Sequence, residues 1–269
     1  MPPKYFDIHS HIQFPQFDAD KDAVLQRMKD VGVSAFVVGT DAKSSEDALR
    51  EVEGKEGLFA TVGLHPNDVF DESFDVVYYR ALASKEKVVA IGECGLDYFR
   101  TKPEKEKIQK QKEVLEAHIE IAVELGKPLM LHCRDPLRRV GGEASAHNDL
   151  IDILKSKKKE YGEKLKGNIH FFTGDTASAQ KYFDLDFTIS FTGVITFAHD
   201  YDEVVRYAPL ANIMSETDCP YVAPLPYRGS RNEPSYVVEV VKRIAEIRQE
   251  DSIFVAKALL ENAQSLFHV

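Results

Sequence analysis

His9 and His11 stand one residue apart at the end of the apolar stretch 4–8, and two imidazoles so spaced on a strand can hold one divalent ion between them. An isolated His-x-His is more often two polar residues where a strand enters a loop. The same placement recurs, however. His65 follows the apolar run 58–64, Glu93 ends 88–93, His132 ends 128–132, His170 lies within 168–172 and Asp218 ends 213–218. Imidazole and carboxylate together suit Zn²⁺, Mn²⁺ or Co²⁺, whereas Mg²⁺ prefers oxygen and water. A carboxylate can also bridge two ions about 3.5–4 Å apart, as two-metal phosphatases and nucleases require. Glu93 is placed for that bridge. Asp218 could hold one ion and accept a proton from an attacking water. Asp7, on the histidines' side of the first strand but deeper, is expected to support them.

For these groups to meet, the strands that carry them must end at one place. Eight apolar runs, 4–8, 35–40, 58–64, 88–93, 128–132, 168–172, 187–191 and 213–218, are nearly all separated by helix-periodic segments. The longest of these, 103–125, begins with Pro103 in its first turn. Two helices, 234–249 and 252–266, finish the chain. Such alternation implies parallel strands, and eight of them predict an α/β fold of the (β/α)₈ barrel type with its chemistry at the C-terminal strand ends. A doubly wound open sheet is the alternative, but the Gly-rich loop it would more often show after the first strand is absent. No composition break marks a linker, so one domain over 1–269 is expected.

The sequence shows no apolar run of membrane-spanning length and no signal-peptide pattern at its start, so a cytoplasmic protein without membrane association is expected. A formal net charge of −10 argues mildly against non-specific wrapping of polyanions, without excluding a nucleic-acid substrate. Cys94, Cys133 and Cys219 each follow a possible ligand by one position, so strand alternation turns them toward the helices as packing residues. His118 and His268 read as structural or surface residues; His147 and His199 stay open.

Several multi-residue motifs then point to one family. They are Asp7-Ile8-His9-Ser10-His11, Gly63-Leu64-His65-Pro66, Ile91-Gly92-Glu93-Cys94-Gly95-Leu96-Asp97-Tyr98, Leu131-His132-Cys133-Arg134, Ile169-His170-Phe171-Phe172 and Glu216-Thr217-Asp218-Cys219-Pro220-Tyr221. In order and over nearly the whole chain, they resemble the TatD-like metal-dependent hydrolases, a branch of the amidohydrolase-like barrels. The resemblance implies two divalent ions (Zn²⁺, Mn²⁺ or Mg²⁺), one held by His9, His11, Glu93 and Asp218, the other by Glu93, His132 and His170. It also implies a deoxyribonuclease that trims single-stranded DNA from the 3′ end by attack of metal-activated hydroxide, with no obligate protein partner. His65 and Arg134 are expected to position phosphate oxygens, and Tyr98 to stack on a base or close the mouth, with loop packing as its alternative. Arg228 and Arg231, in the loop after the eighth strand, could attract a polyanion, with a solvated loop as the commoner alternative. The stretch 135–147, with Arg138 and Arg139, departs from the family pattern as a lid, a substrate contact or a surface insertion. A carboxylic-ester hydrolase such as a D-aminoacyl-tRNA deacylase could use the same centre, and a non-enzymatic barrel would lack ligands that are all present here.

Overall fold

The computed structural model describes residues 2–100, 104–136 and 145–269. Eight strands run in the order β1 (Tyr5–Ser10), β2 (Val33–Val38), β3 (Leu58–Val62), β4 (Val88–Asp97), β5 (Leu129–Arg134), β6 (Gly167–Ile169), β7 (Phe187–Phe191) and β8 (Ile213–Ser215), each pairing in parallel with the next. Helices α1 (Lys21–Val31), α2 (Ala42–Val52), α3 (Val76–Ala83), α4 (Lys105–Leu125), α5 (Ala146–Tyr161), α6 (Thr176–Phe183), α7 (Asp202–Tyr207) and α8 (Val237–Arg248) follow the strands, and α9 (Ser252–Phe267) ends the chain. The expected (β/α)₈ barrel is therefore what the chain forms. Local signals punctuate it: Asp41 and Asp175 close capping boxes on α2 and α6, while Gly32 and Gly126 end α1 and α4 in the left-handed conformation. Pro103, Arg138 and Arg139 lie outside the described residues.

Two apolar layers position the site. Residues on the helix side of the strands, the three cysteines included, pack against the helices. On the other side Phe6, Ile8, Phe36, Val38, Ala90, Met130 and Met214 form a separate cluster inside the barrel. Ala263 and Phe267 at the end of α9 join that cluster and plug the N-terminal end of the barrel. The opposite end is left to the polar groups.

Simple alternation does not carry those groups inward. In β1 the pairing steps from Asp7–Ala35 to Ser10–Val37, three residues against two, and in β4 from Ile91–Leu129 to Cys94–Leu131. Each extra residue inverts the alternation beyond it. Below the bulges Ile8 and Ala90 face the apolar interior; above them His9, His11 and Glu93 do. Closure between β1 and β8 falls at the same level. Asp218 N–H donates to His9 O at 2.9 Å and His11 N–H to Cys219 O at 2.9 Å, so backbone bonds fix three of the expected ligands directly.

Candidate metal centre

The strand ends open into a cavity of about 590 Å³ whose lining includes His11, His65, Glu93, His132, His170 and Asp218. Glu93 lies at its floor, only 4% exposed. Its two oxygens face different partners. Oε2 lies 3.3 Å from His9 Nε2, and Oε1 lies 3.0 Å from His132 Nδ1, 2.8 Å from His170 Nε2 and 3.4 Å from His65 Nε2. On the Oε2 side, His9 Nε2 and His11 Nε2 are 3.2 Å apart, and Asp218 Oδ1 is 3.5 Å from His11 Nε2. The rings of His9 and His11 meet edge to face, while His9 stacks on His170 at 3.8 Å.

Hydrogen bonds behind the rings show which nitrogens are free to bind a cation. His11 Nδ1 lies 2.8 Å from Val38 O, a contact only an N–H can make, so the Nε2 lone pair faces the cavity. The Asp97 carboxylate, 3.0 Å from His132 Nε2, leaves Nδ1 of that ring facing inward. Glu216 Oε1 lies 3.5 Å behind His170 Nδ1, within ionic range though not hydrogen-bonded, while Nε2 of that ring faces Glu93. Lone pairs aimed at one another across about 3 Å repel unless a proton or a cation sits between them. The donor set therefore fits divalent-cation binding, with ring orientation fixed from behind. His65 is different: its Nδ1 accepts the Asn67 N–H at 3.1 Å, which puts the proton of the neutral ring on Nε2. It presents a donor to the cavity.

Charge reinforces this. Burial alone would raise the Glu93 pKa, but His170, His65, His9 and His132 outweigh it and hold the carboxyl well below its ordinary value. His170 is pushed well above the usual imidazole range, because Glu93 and Glu216 overcome the effect of burial. Burial opposes the Asp218 charge too, yet His11 and His9 keep its pKa low. A bound cation would replace protons in this cluster, so metal uptake should release them.

The sequence profile described as TatD related DNase matches residues 6–268. The chain belongs to the TatD-related DNase family. It is 37% identical to the uncharacterized metal-dependent hydrolase YabD of Bacillus subtilis, covering 98% of this chain and 99% of that one. It is 31% identical to the 3′-5′ ssDNA/RNA exonuclease TatD of Pectobacterium parmentieri, over 98% of this chain and 99% of the relative. The crystal structure of YjjV, a TatD homologue from Escherichia coli, superposes with a TM-score of 0.87 at 29% identity, covering all of both chains.

Around this TatD-related centre the structure places groups that strand-end reasoning does not assign. Asp97 also accepts N–H bonds from Phe99 and Arg100, at 2.9 and 2.8 Å, and an Asn67 amide bond at 3.2 Å. It lies four residues beyond Glu93 on the same strand, so alternation could have found it. Glu216, fully buried, accepts Phe171 N–H at 2.6 Å and the Ser190 hydroxyl at 2.7 Å. Asp7 takes the Thr217 N–H at 2.8 Å and the His9 N–H at 3.2 Å, tying β1 to the segment before Asp218. Asp97→Asn keeps the shape but removes the charge behind His132. It should lower metal affinity and turnover about 10–100-fold, measured by metal titration and steady-state cleavage. An affinity within twofold of wild type would show that His132 does not depend on Asp97.

Several expectations need correcting. Tyr98 is 1% exposed and donates its hydroxyl to Asp149 at 2.6 Å, so it packs in the wall and cannot stack on a base at the mouth. Arg231 is bound by Asp20 at 2.7 Å and lies over Phe17, not free for a polyanion. Arg228 lies exposed in the loop after β8 with its guanidinium over Phe197, a contact that fits a solvated loop and a polyanion-facing one alike. The two histidines the sequence leaves open fall outside the cluster: His147 is buried beside Tyr182 and His199 is exposed beside Asp202. Arg134 does line the cavity, its guanidinium 3.8 Å over the Phe99 ring.

His118 supports the site from α4. Leu64 N–H donates to its Nε2 at 3.0 Å, one residue before His65, and Nδ1 lies 2.7 Å from Val114 O. Burial lowers its pKa from 6.5 to about 4. The unfolded chain therefore binds a proton more readily between these values, so the contribution is intact above pH 6.5 and lost as pH falls toward 4. The full loss is about 3 kcal/mol. Urea unfolding of wild type and His118→Gln checks this: the variant should be less acid-sensitive across that window. Identical pH dependence would contradict it.

Proposed function

We propose that this chain is a metal-dependent phosphodiesterase that trims single-stranded nucleic acid, DNA above all, from the 3′ end with two divalent ions. The observation that carries the reading is the division of Glu93, with one oxygen toward the His9, His11 and Asp218 group and the other toward His132 and His170. Zn²⁺ or Mn²⁺ suits this nitrogen-rich set better than Mg²⁺. When bound, the ions would supply charge for the developing phosphorane and a lowered pKa for water. The protein's own groups do the rest. Asp218 takes the proton of the attacking water; burial opposes its charge, but the neighbouring His11 and His9 hold its carboxyl below the ordinary value. His65 Nε2–H donates to an oxygen of the scissile phosphoryl group, and Arg134, held flat on Phe99 at the cavity wall, offers its N–H edge to a phosphate of the bound strand. Membership of the TatD-related DNase family and likeness to a relative named as a 3′-5′ exonuclease support phosphodiester over carboxylic-ester chemistry. Among the described residues no helix is long and apolar enough to cross a membrane. We take 1–269 as one catalytic unit acting in the cytoplasm.

The test is a side-by-side assay of a 3′-end-labelled single-stranded oligonucleotide and a D-aminoacyl-tRNA with each added ion. Loss of the 3′ label one nucleotide at a time is expected. Deacylation with the oligonucleotide left intact would overturn the reading.

A further inference from the structure

The metal-facing groups and His65 serve one phosphate, the one being cut. Two arginines nearby carry more positive charge than that phosphate needs. Among the described residues every arginine but Arg100, Arg134 and Arg228 pairs with a carboxylate. In a chain of net charge −10, with 44 acidic residues, an arginine without such a partner is unusual, and two of the three line this cavity.

Both start from fixed points. Arg134 ends β5 two residues beyond His132, which puts it about 7 Å further toward the mouth at strand spacing. That step is comparable with the separation of successive phosphates along an extended single strand. Arg100 lies three residues beyond the end of β4, with its backbone N–H held by Asp97 at 2.8 Å. Phe99 immediately precedes Arg100 in the chain, and its ring face is taken by the Arg134 guanidinium. The in-plane N–H groups of that guanidinium remain for an acceptor, and a phosphodiester matches them in charge and shape. Tyr201 and Tyr221 line the same cavity, and Tyr221 is 49% exposed, which gives flanking bases a face to stack on.

We propose that Arg100 and Arg134 form a second phosphate subsite that takes the phosphodiester next to the scissile one. The shortest good substrate then carries two phosphodiesters, a trinucleotide in place of a dinucleotide. This rests on the nuclease reading above and adds to it a length requirement and a residue, Arg100, outside the metal centre.

Binding of phosphorothioate-protected di- and trinucleotides to the full chain tests it. Wild type should bind the trinucleotide about tenfold more tightly, within the usual range for a charged hydrogen-bonded contact. Arg100→Met should remove most of that advantage. It should also reduce the slope of log affinity against log salt by about 0.7, as expected for one lost phosphate contact on a single strand. Arg100→Lys should keep the salt slope while losing part of the affinity, which a purely structural role would not produce. A trinucleotide advantage that survives in Arg100→Met, or that wild type lacks while cutting both lengths, overturns the subsite and leaves the nuclease reading standing. Failure of wild type to bind or cut either overturns both.

Discussion

Glu93→Gln is expected to lower cleavage of a 3′-labelled oligonucleotide by about a thousandfold or more while the barrel still folds. Glutamine matches the volume of a side chain that is 4% exposed, so packing changes little. What changes is charge and lone pairs. The amide can present one oxygen to one of the two groups of ligands, and its NH₂ then faces the other, where imidazole lone pairs already point. Metal-based stabilisation of a phosphoryl transition state is worth several kcal/mol, and each 1.36 kcal/mol is a factor of ten in rate. Single-turnover cleavage with saturating ion, beside a thermal melt, gives the answer. Activity within tenfold of wild type would remove Glu93 from the centre of the mechanism.

Asp218→Asn should cost about 10²–10⁴-fold in kcat with a smaller change in KM. The choice of asparagine matters. Asp218 has a backbone φ of 54°, a left-handed conformation that asparagine tolerates and most other residues resist. An alanine would confound backbone strain with lost chemistry. Asparagine can still offer an oxygen beside His11 and His9, but it cannot accept the proton of the attacking water. Ion binding should therefore weaken less than turnover does. If calorimetry and kinetics fall in step, Asp218 acts through metal retention alone and another group must be the base.

Much of this site is legible in the chain. Strand and helix periods place the ends of β1, β4, β5, β6 and β8 together, and the six expected ligands meet there because parallel strands end on one side. The route by which they arrive is hidden. Strict alternation puts Asp7 with His9 and His11, but a bulge between Asp7 and Ser10 separates them, and Asp7 holds Thr217. Bulges arise from register between strands distant in sequence, so no local pattern announces them. The same limit applies to carboxylates in the motifs. Asp97 and Glu216 are acidic residues in plain view, yet their roles lie in which ring they back, a property of neighbouring strands. Tyr98 shows the reverse error: a residue next to the site in sequence points away from it, because its phenol finds Asp149 on α5.

The count of divalent ions per chain tests the central claim most directly. Elemental analysis of protein purified without chelator and dialysed against Zn²⁺ or Mn²⁺ should give two ions per chain in wild type, with at least one lost in Glu93→Gln. One ion at saturation in wild type, or two retained without the Glu93 carboxylate, would contradict a centre built on the two faces of that side chain.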